Sequence, residues 1–157
     1  MSDCVRRVTI FVGVFAMLCS ASGIAGLAEG LDALKRQDFA AASKELRPLA
    51  DRGDAEAQYR VGLMEEFGKG FAVDMPRAIA WLGKSAAQGH VASQLELGVI
   101  YANGEGVPKD STKAVAWFRK AAMQGNATGQ YNLGLMYAKG SGVGLAIAQA
   151  IAWFCNA

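Results

Sequence analysis

The sequence predicts an all-α protein built as a stack of two-helix units, and three observations predict it. Trp81, Trp117 and Trp153 lie 36 residues apart, and Ala78, Ala114 and Ala150 keep the same step. The step returns at Gly53, Gly89 and Gly125, at Gln58, Gln94 and Gln130, at Gly62, Gly98 and Gly134, and in the pairs Gly68/Gly70, Gly104/Gly106 and Gly140/Gly142. Aligned without gaps, residues 78–113 match residues 114–149 at 15 of 36 positions. A fixed period of this length marks a repeat architecture, in which no unit buries its apolar face alone and stacked neighbours share a core.

The front of the chain, residues 1–25, has the make-up of an export leader. Arg6 and Arg7 precede an apolar run over 8–18, and Gly23-Ile24-Ala25 offers small side chains at the −3 and −1 positions of a cleavage site. Gly26-Leu27-Ala28 is a second candidate site. No charge falls between Val8 and Ala28, so an uncleaved anchor of about 20 residues is the competing reading. The protein is therefore expected to be exported, periplasmic or secreted, touching a membrane only through an uncleaved leader. Residues 26–52 predict an N-terminal helical pair: Leu27, Leu31 and Leu34 share one helix face, and Phe39 to Ala50 form a second helix despite Pro48.

Three units follow, at 53–88, 89–124 and 125–157. In the middle one, Val91, Leu95, Gly98, Val99 and Ala102 recur at three- and four-residue spacing, which predicts an amphipathic first helix. Asn103-Gly104-Glu105-Gly106 breaks it, Asp110 is placed to cap a second helix, and Ala114, Trp117, Phe118 and Ala121 give that helix an apolar face. Gly62, Gly98 and Gly134 fall inside first helices, where glycine costs about 1 kcal/mol relative to alanine. A cost repeated at one column implies a close approach, and a tryptophan of the paired helix is the expected occupant. In the last unit Gly144-Leu145-Ala146 replaces Pro108-Lys109-Asp110, so its second helix is truncated and loses the capping aspartate. The uncapped apolar C-terminal end is expected to be covered by a partner or by self-association, unless the chain is a truncated product of a longer gene.

Composition narrows the function classes. Apolar residues make up 52% and charged residues 19%, enough for a core and against disorder. The formal charge is +2, and without the leader 14 basic residues face 13 acidic ones. Such a balance gives no electrostatic footprint for nucleic acid. Of three cysteines, Cys4 and Cys19 lie in the leader, leaving Cys155 as a single thiol that cannot form an internal disulfide.

No catalytic constellation is expected, and no metal or cofactor. His90, the only histidine, stands in the column of Asp54 and Asn126 at a helix N-terminus, where surface capping is the reading. One histidine cannot build a standard zinc site. Gly83-Lys84-Ser85 mimics the tail of a phosphate loop but lies in a predicted helix without the leading glycine. Glu65 and Glu66 point about 100° apart on a helix, so a solvated face is expected there. Arg52-Gly53-Asp54 reads as the periodic turn glycine and the cap that follows it.

The pattern A-x-W-x-x-K-[SA]-A-x-Q-G followed by Q-x-x-L-G-x-x-Y-A-x-G-x-G-V is carried by Ala80–Gly89 with Gln94–Val107. It recurs in Ala116–Gly125 with Gln130–Val143. It resembles the Sel1-like repeat, a relative of the tetratricopeptide repeat, over about residues 38–157. The resemblance implies a right-handed α-solenoid of antiparallel helix pairs, with the first helix of each unit lining a concave face. It implies a non-enzymatic scaffold in the bacterial envelope that binds another protein, presenting a peptide or a helix. Contact residues should vary between units while the frame is fixed, which selects Arg60, Glu96 and Asn132 in one column, with a plain solvated face as the competing reading. A cell-wall or glycan-binding module is one competing reading. Another is a weak β-lactamase-like hydrolase, described for cysteine-rich relatives that carry a cysteine pair per unit, which this chain lacks.

Overall fold

A computed structural model of the chain describes residues 25–156. Among the described residues, eight helices run in antiparallel pairs: α1 (25–35) with α2 (Phe39–Asp51), α3 (Ala55–Phe67) with α4 (Met75–Ala87), α5 (Val91–Asn103) with α6 (Ser111–Met123), and α7 (Ala127–Lys139) with α8 (Ile147–Asn156). There is no strand among the described residues. The leader expected over residues 1–25 lies, but for Ala25, outside them.

Helix ends follow the repeat. Asp38, Asp74 and Asp110 each accept a hydrogen bond from the backbone N–H three residues on, starting α2, α4 and α6. Asp54, His90 and Asn126 do the same for α3, α5 and α7. Gly68, Gly104 and Gly140 close the first helices in the left-handed conformation, with φ of 67°, 82° and 61°. The second loop glycine serves stacking between units. A Cβ on Gly70, Gly106 or Gly142 would collide with Phe39, Met75 or Ser111, each the first residue of the preceding unit's second helix.

The N-terminal pair departs from this scheme. Its turn is only Arg36-Gln37-Asp38, and Gln37 takes the left-handed φ of 59° that glycine takes elsewhere. The loop is shorter because α1 runs one turn further, so that Gly30 lies against Leu46. At α8 the capping aspartate is missing, as expected, yet the loop closes as in the other units. Ala146 N–H reaches Tyr137 O at 3.2 Å, as Asp110 reaches Tyr101 and Asp74 reaches Glu65.

The mid-helix glycines are sites of close approach, but the occupant is not the tryptophan. It is the residue after it: a Cβ on Gly98 would lie 2.4 Å from the Phe118 ring, on Gly134 2.6 Å from Phe154, and on Gly62 3.0 Å from Leu82. Trp81 and Trp117 point elsewhere, each with a lysine ammonium 4.1 Å from a ring centroid, Lys84 and Lys120. The W-x-x-K spacing thus places a cation over each indole from the next turn of its own helix.

The expected apolar face of α5 also needs correction. Its buried residues are Ser93, Gln94, Leu97, Gly98 and Ile100, while Val91, Leu95, Val99 and Ala102 are half-buried. A central helix of a stack faces two cores. Leu97 and Ile100 join Leu82 and Ala86, whereas Leu95, Val99 and Ala102 pack toward Phe118 and Leu133. One stripe of period 3.6 cannot describe such a helix.

Buried glutamines tie the units together. Gln94 donates to Ala86 O at 3.1 Å and accepts from Gln124, which also reaches Gly89 O. Gln58 makes the same bonds to Ala50 O and from Gln88. At the last position Gln130 Oε1 is buried without a partner among the described residues. There Phe154 is 37% exposed where Phe118 is 3%, and Tyr131, Ile147 and Ile151 are exposed beside it.

Gly98→Ala is expected to destabilise the protein by about 1–3 kcal/mol, because overpacking against a buried ring outweighs the gain in helix propensity. Gly83, equally interior to a helix, has nothing within 4 Å of its absent Cβ. Gly83→Ala should therefore stabilise by up to about 1 kcal/mol. Urea denaturation of the two variants checks the pair; the same sign for both would refute the assignment.

Candidate functional site

The first helices α3, α5 and α7 present successive turns to one face of the stack, and its polar residues change from unit to unit. Arg60, Glu96 and Asn132 occupy one column and are all half-buried. Arg60 Nε donates to Glu56 Oε1 at 2.6 Å, and its guanidinium stands 5.1 Å from the Tyr59 ring centroid. Glu96 is drawn into an acidic group with Glu66 and Glu105. Sequence reading singled out the Arg60 column but missed Glu66 and Glu105. It also missed Lys69, which heads a second column that changes chemistry, Lys69, Glu105 and Ser141. The signal was present, but it lies in the glycine loop.

Burial, then the negative charges of Glu96 and Glu105, pushes the Glu66 carboxyl up to about 7. Glu96 is raised for the same reasons, burial first and Glu105 second, and Tyr59 is raised by burial and then by Glu96. Glu56 moves the other way. Burial pushes its carboxyl up, but hydrogen bonds from Arg60 and His90 together outweigh that and hold it below its ordinary range.

Glu65 and Glu66 do not share the solvated face expected of them. Glu65 is 1% exposed and paired with Arg77 at 2.9 Å and Arg47 at 3.3 Å. It stands in the column of Tyr101 and Tyr137, and cations meet that column again. Lys113 lies 5.1 Å from the Tyr101 ring, and Arg119 donates to Tyr137 Oη at 2.8 Å. Removing one arginine would leave a buried charge under-compensated, which is why the substitution of tyrosine by glutamate comes with two of them.

His90 caps α5 as expected, though half-buried rather than on the surface. Its Nδ1 lies 3.0 Å from Ser93 Oγ and its Nε2 2.8 Å from Glu56 Oε2, a serine–histidine–carboxylate chain in connectivity. The serine is not a nucleophile in this setting. Ser93 is 0% exposed, and its hydroxyl donates to Ser85, which donates in turn to Ala55 O. An attacking oxygen needs an approach path for the substrate, and here the proton is committed to a structural bond. Gly83-Lys84-Ser85 lies within α4, with Ser85 buried in this same network. Among the described residues no group of three His, Cys, Asp or Glu side chains is placed to hold a metal ion. Cys155 is a free, exposed thiol.

Beside Arg60, at the junction of the N-terminal pair and α3, two hollows of about 240 and 340 Å3 adjoin. Leu34 and Arg60 border both; Phe39, Leu63, Met64, Phe67 and Lys69 complete the first, and Leu31 and Lys35 the second.

The Sel1 repeat model matches residues 55–90, 91–126 and 127–157. The chain belongs to the Sel1 repeat family. Solved structures agree. A Sel1 repeat protein from Oxalobacter formigenes is 35% identical over 85% of this chain, with a TM-score of 0.77. The protective antigen c5321 of uropathogenic Escherichia coli, which displays an SLR fold, is 32% identical over 90% of the chain, with a TM-score of 0.82. The chain spans 40% and 31% of the length of those two proteins. No curated protein matches it. The protein is thus a right-handed α-solenoid of Sel1 repeats, and Sel1 repeat proteins are generally protein-interaction scaffolds.

The raised Glu66 carboxyl makes a pH prediction. The folded state holds this proton more tightly than the unfolded chain, whose ordinary value is 4.5, so ionisation opposes folding. The penalty is full above about pH 7 and fades as pH falls toward 4.5. Solvent screening at this half-exposed site reduces its size. Glu66→Gln should raise Tm by about 2–5 °C near pH 8 and change it little near pH 4. Equal shifts at both values would show that the carboxyl is not under this strain.

Proposed function

We propose that the protein is a non-enzymatic adaptor of the bacterial envelope that binds another protein along the concave face lined by α3, α5 and α7. The observation that carries this reading is the contrast between frame and face. Loop glycines and inter-unit glutamines repeat every 36 residues, while two columns of the face run Arg60, Glu96, Asn132 and Lys69, Glu105, Ser141. A face used only for solvation tolerates such a reversal of charge but does not require one. A face that reads a partner does, because complementary potentials set register and suppress wrong partners.

The envelope assignment rests on the leader-like residues 1–25. Leu27 packs against the first core cluster, and a Cβ on Gly26 would contact Leu49. Processing after Ala25 spares Leu27, whereas processing after Ala28 removes it. N-terminal sequencing of protein recovered from a bacterial periplasm is expected to begin at Gly26; a start at Met1 would replace export in soluble form by an anchored or unexported protein.

The partner reading is tested by crosslinking in intact envelope followed by affinity purification, comparing wild type with the Arg60→Glu, Glu96→Arg double variant. Loss of the captured proteins, with helicity unchanged by circular dichroism, is the expected outcome. Identical recovery from both would remove the face from consideration.

A further inference from the structure

The hollow at the mouth of the proposed binding face has a chemistry of its own. Its floor is apolar, from Leu34, Leu63 and Phe67, and Phe67 is 59% exposed. Its lining is cationic as well, from Lys35, Arg60 and Lys69. Lys69 Nζ sits 5.5 Å from the Phe39 ring and 5.7 Å from the Phe67 ring, so the charge is held over the apolar floor by its neighbours. Arg60 is shared with Glu56, which leaves the rim net positive.

One unit further on, the same two columns carry Glu96 and Glu105, joined by Glu66. The groove therefore changes sign between its first and second stations. A ligand anion is attracted at the first and repelled at the second.

Resting on the adaptor reading above, we propose that this mouth docks an acidic–apolar peptide segment of the partner protein. A large apolar side chain enters between Leu34, Leu63 and Phe67, and flanking carboxylates meet Lys35, Arg60 and Lys69. The volume suits a single large side chain, and the open rim leaves the backbone outside. Neighbouring helices lie roughly 10 Å apart, which an extended chain crosses in about three residues. The acidic part of the segment is thus confined to the first station, and a basic residue about three positions along is favoured at the second.

The test uses the full chain and a short fluorescein-labelled peptide in which glutamates flank a leucine–phenylalanine pair. A second peptide carries lysines for the glutamates. Fluorescence anisotropy should show saturable binding of the acidic peptide to wild type, weakening as ionic strength rises. The Lys35→Glu, Lys69→Glu variant, altered at two exposed side chains, should bind the acidic peptide about tenfold or more weakly and should bind the lysine peptide instead. Absence of saturable binding, tighter binding of the lysine peptide to wild type, or saturable binding of oleate in place of peptide would each overturn the proposal. Envelope crosslinking of the same variant separates the two readings. Unchanged capture by Lys35→Glu, Lys69→Glu, with capture lost in the Arg60→Glu, Glu96→Arg variant, defeats the acidic-peptide site and leaves the adaptor standing. Unchanged capture by both defeats both.

Discussion

Within each pair, the two helices approach where a glycine of the first meets a large side chain of the second. Gly62 meets Leu82, Gly98 meets Phe118 and Gly134 meets Phe154. Any Cβ in that column would force the helices apart or the facing side chain out of its rotamer. The pair must be set at this distance before anything else can be periodic. The loop that closes it, the glycine that abuts the previous unit and the glutamine that reaches back to that unit all take their positions from it.

Stacking between units then relies on polar chemistry as much as on apolar burial. A glutamine in a core is expensive unless each end is bonded. Gln58 and Gln94 are satisfied only because the preceding unit presents a carbonyl and the end of the unit's own second helix a second amide. A slip of one residue between units would leave those groups buried and unpaired. The ladder therefore specifies register, which a smooth apolar interface between Leu, Ile and Ala side chains would specify poorly.

This explains which parts of the fold were legible in the sequence. The period, the caps at Asp110 and His90 and the stacking of helix pairs could be read from spacing alone, because they depend on residue type at a fixed step. The partner of the mid-helix glycine could not. Trp81 and Leu82, or Trp117 and Phe118, are both large and apolar, and one residue along a helix is a turn of about 100°. Periodicity cannot choose between them; only the placement of the facing helix does. Glu65 was illegible for a related reason. Its partners Arg47 and Arg77 come from α2 and α4, so nothing adjacent to it in sequence announces that it is buried. At the candidate site, comparison across units found the Arg60 column on the helix. The Lys69 column, set among loop glycines that read as frame, went unnoticed.

The serine–histidine–carboxylate chain shows why connectivity alone is weak ground for assigning chemistry. In α5 the imidazole is fixed by capping, the serine by its bond to Ser85 and the carboxylate by Arg60. Each group is already bonded to a neighbouring residue of the fold. Catalysis and recognition both require the opposite, a group held in place whose remaining valence faces an incoming molecule. In this solenoid the polar groups inside the stack are committed to register and capping. The groups whose identity can change without disturbing the stack lie on the first-helix face and its loop margin, where Arg60 gives way to Glu96 and Lys69 to Glu105. A repeat fold separates these duties by construction, since the step that fixes the frame also returns, in each unit, positions whose charge the frame does not dictate.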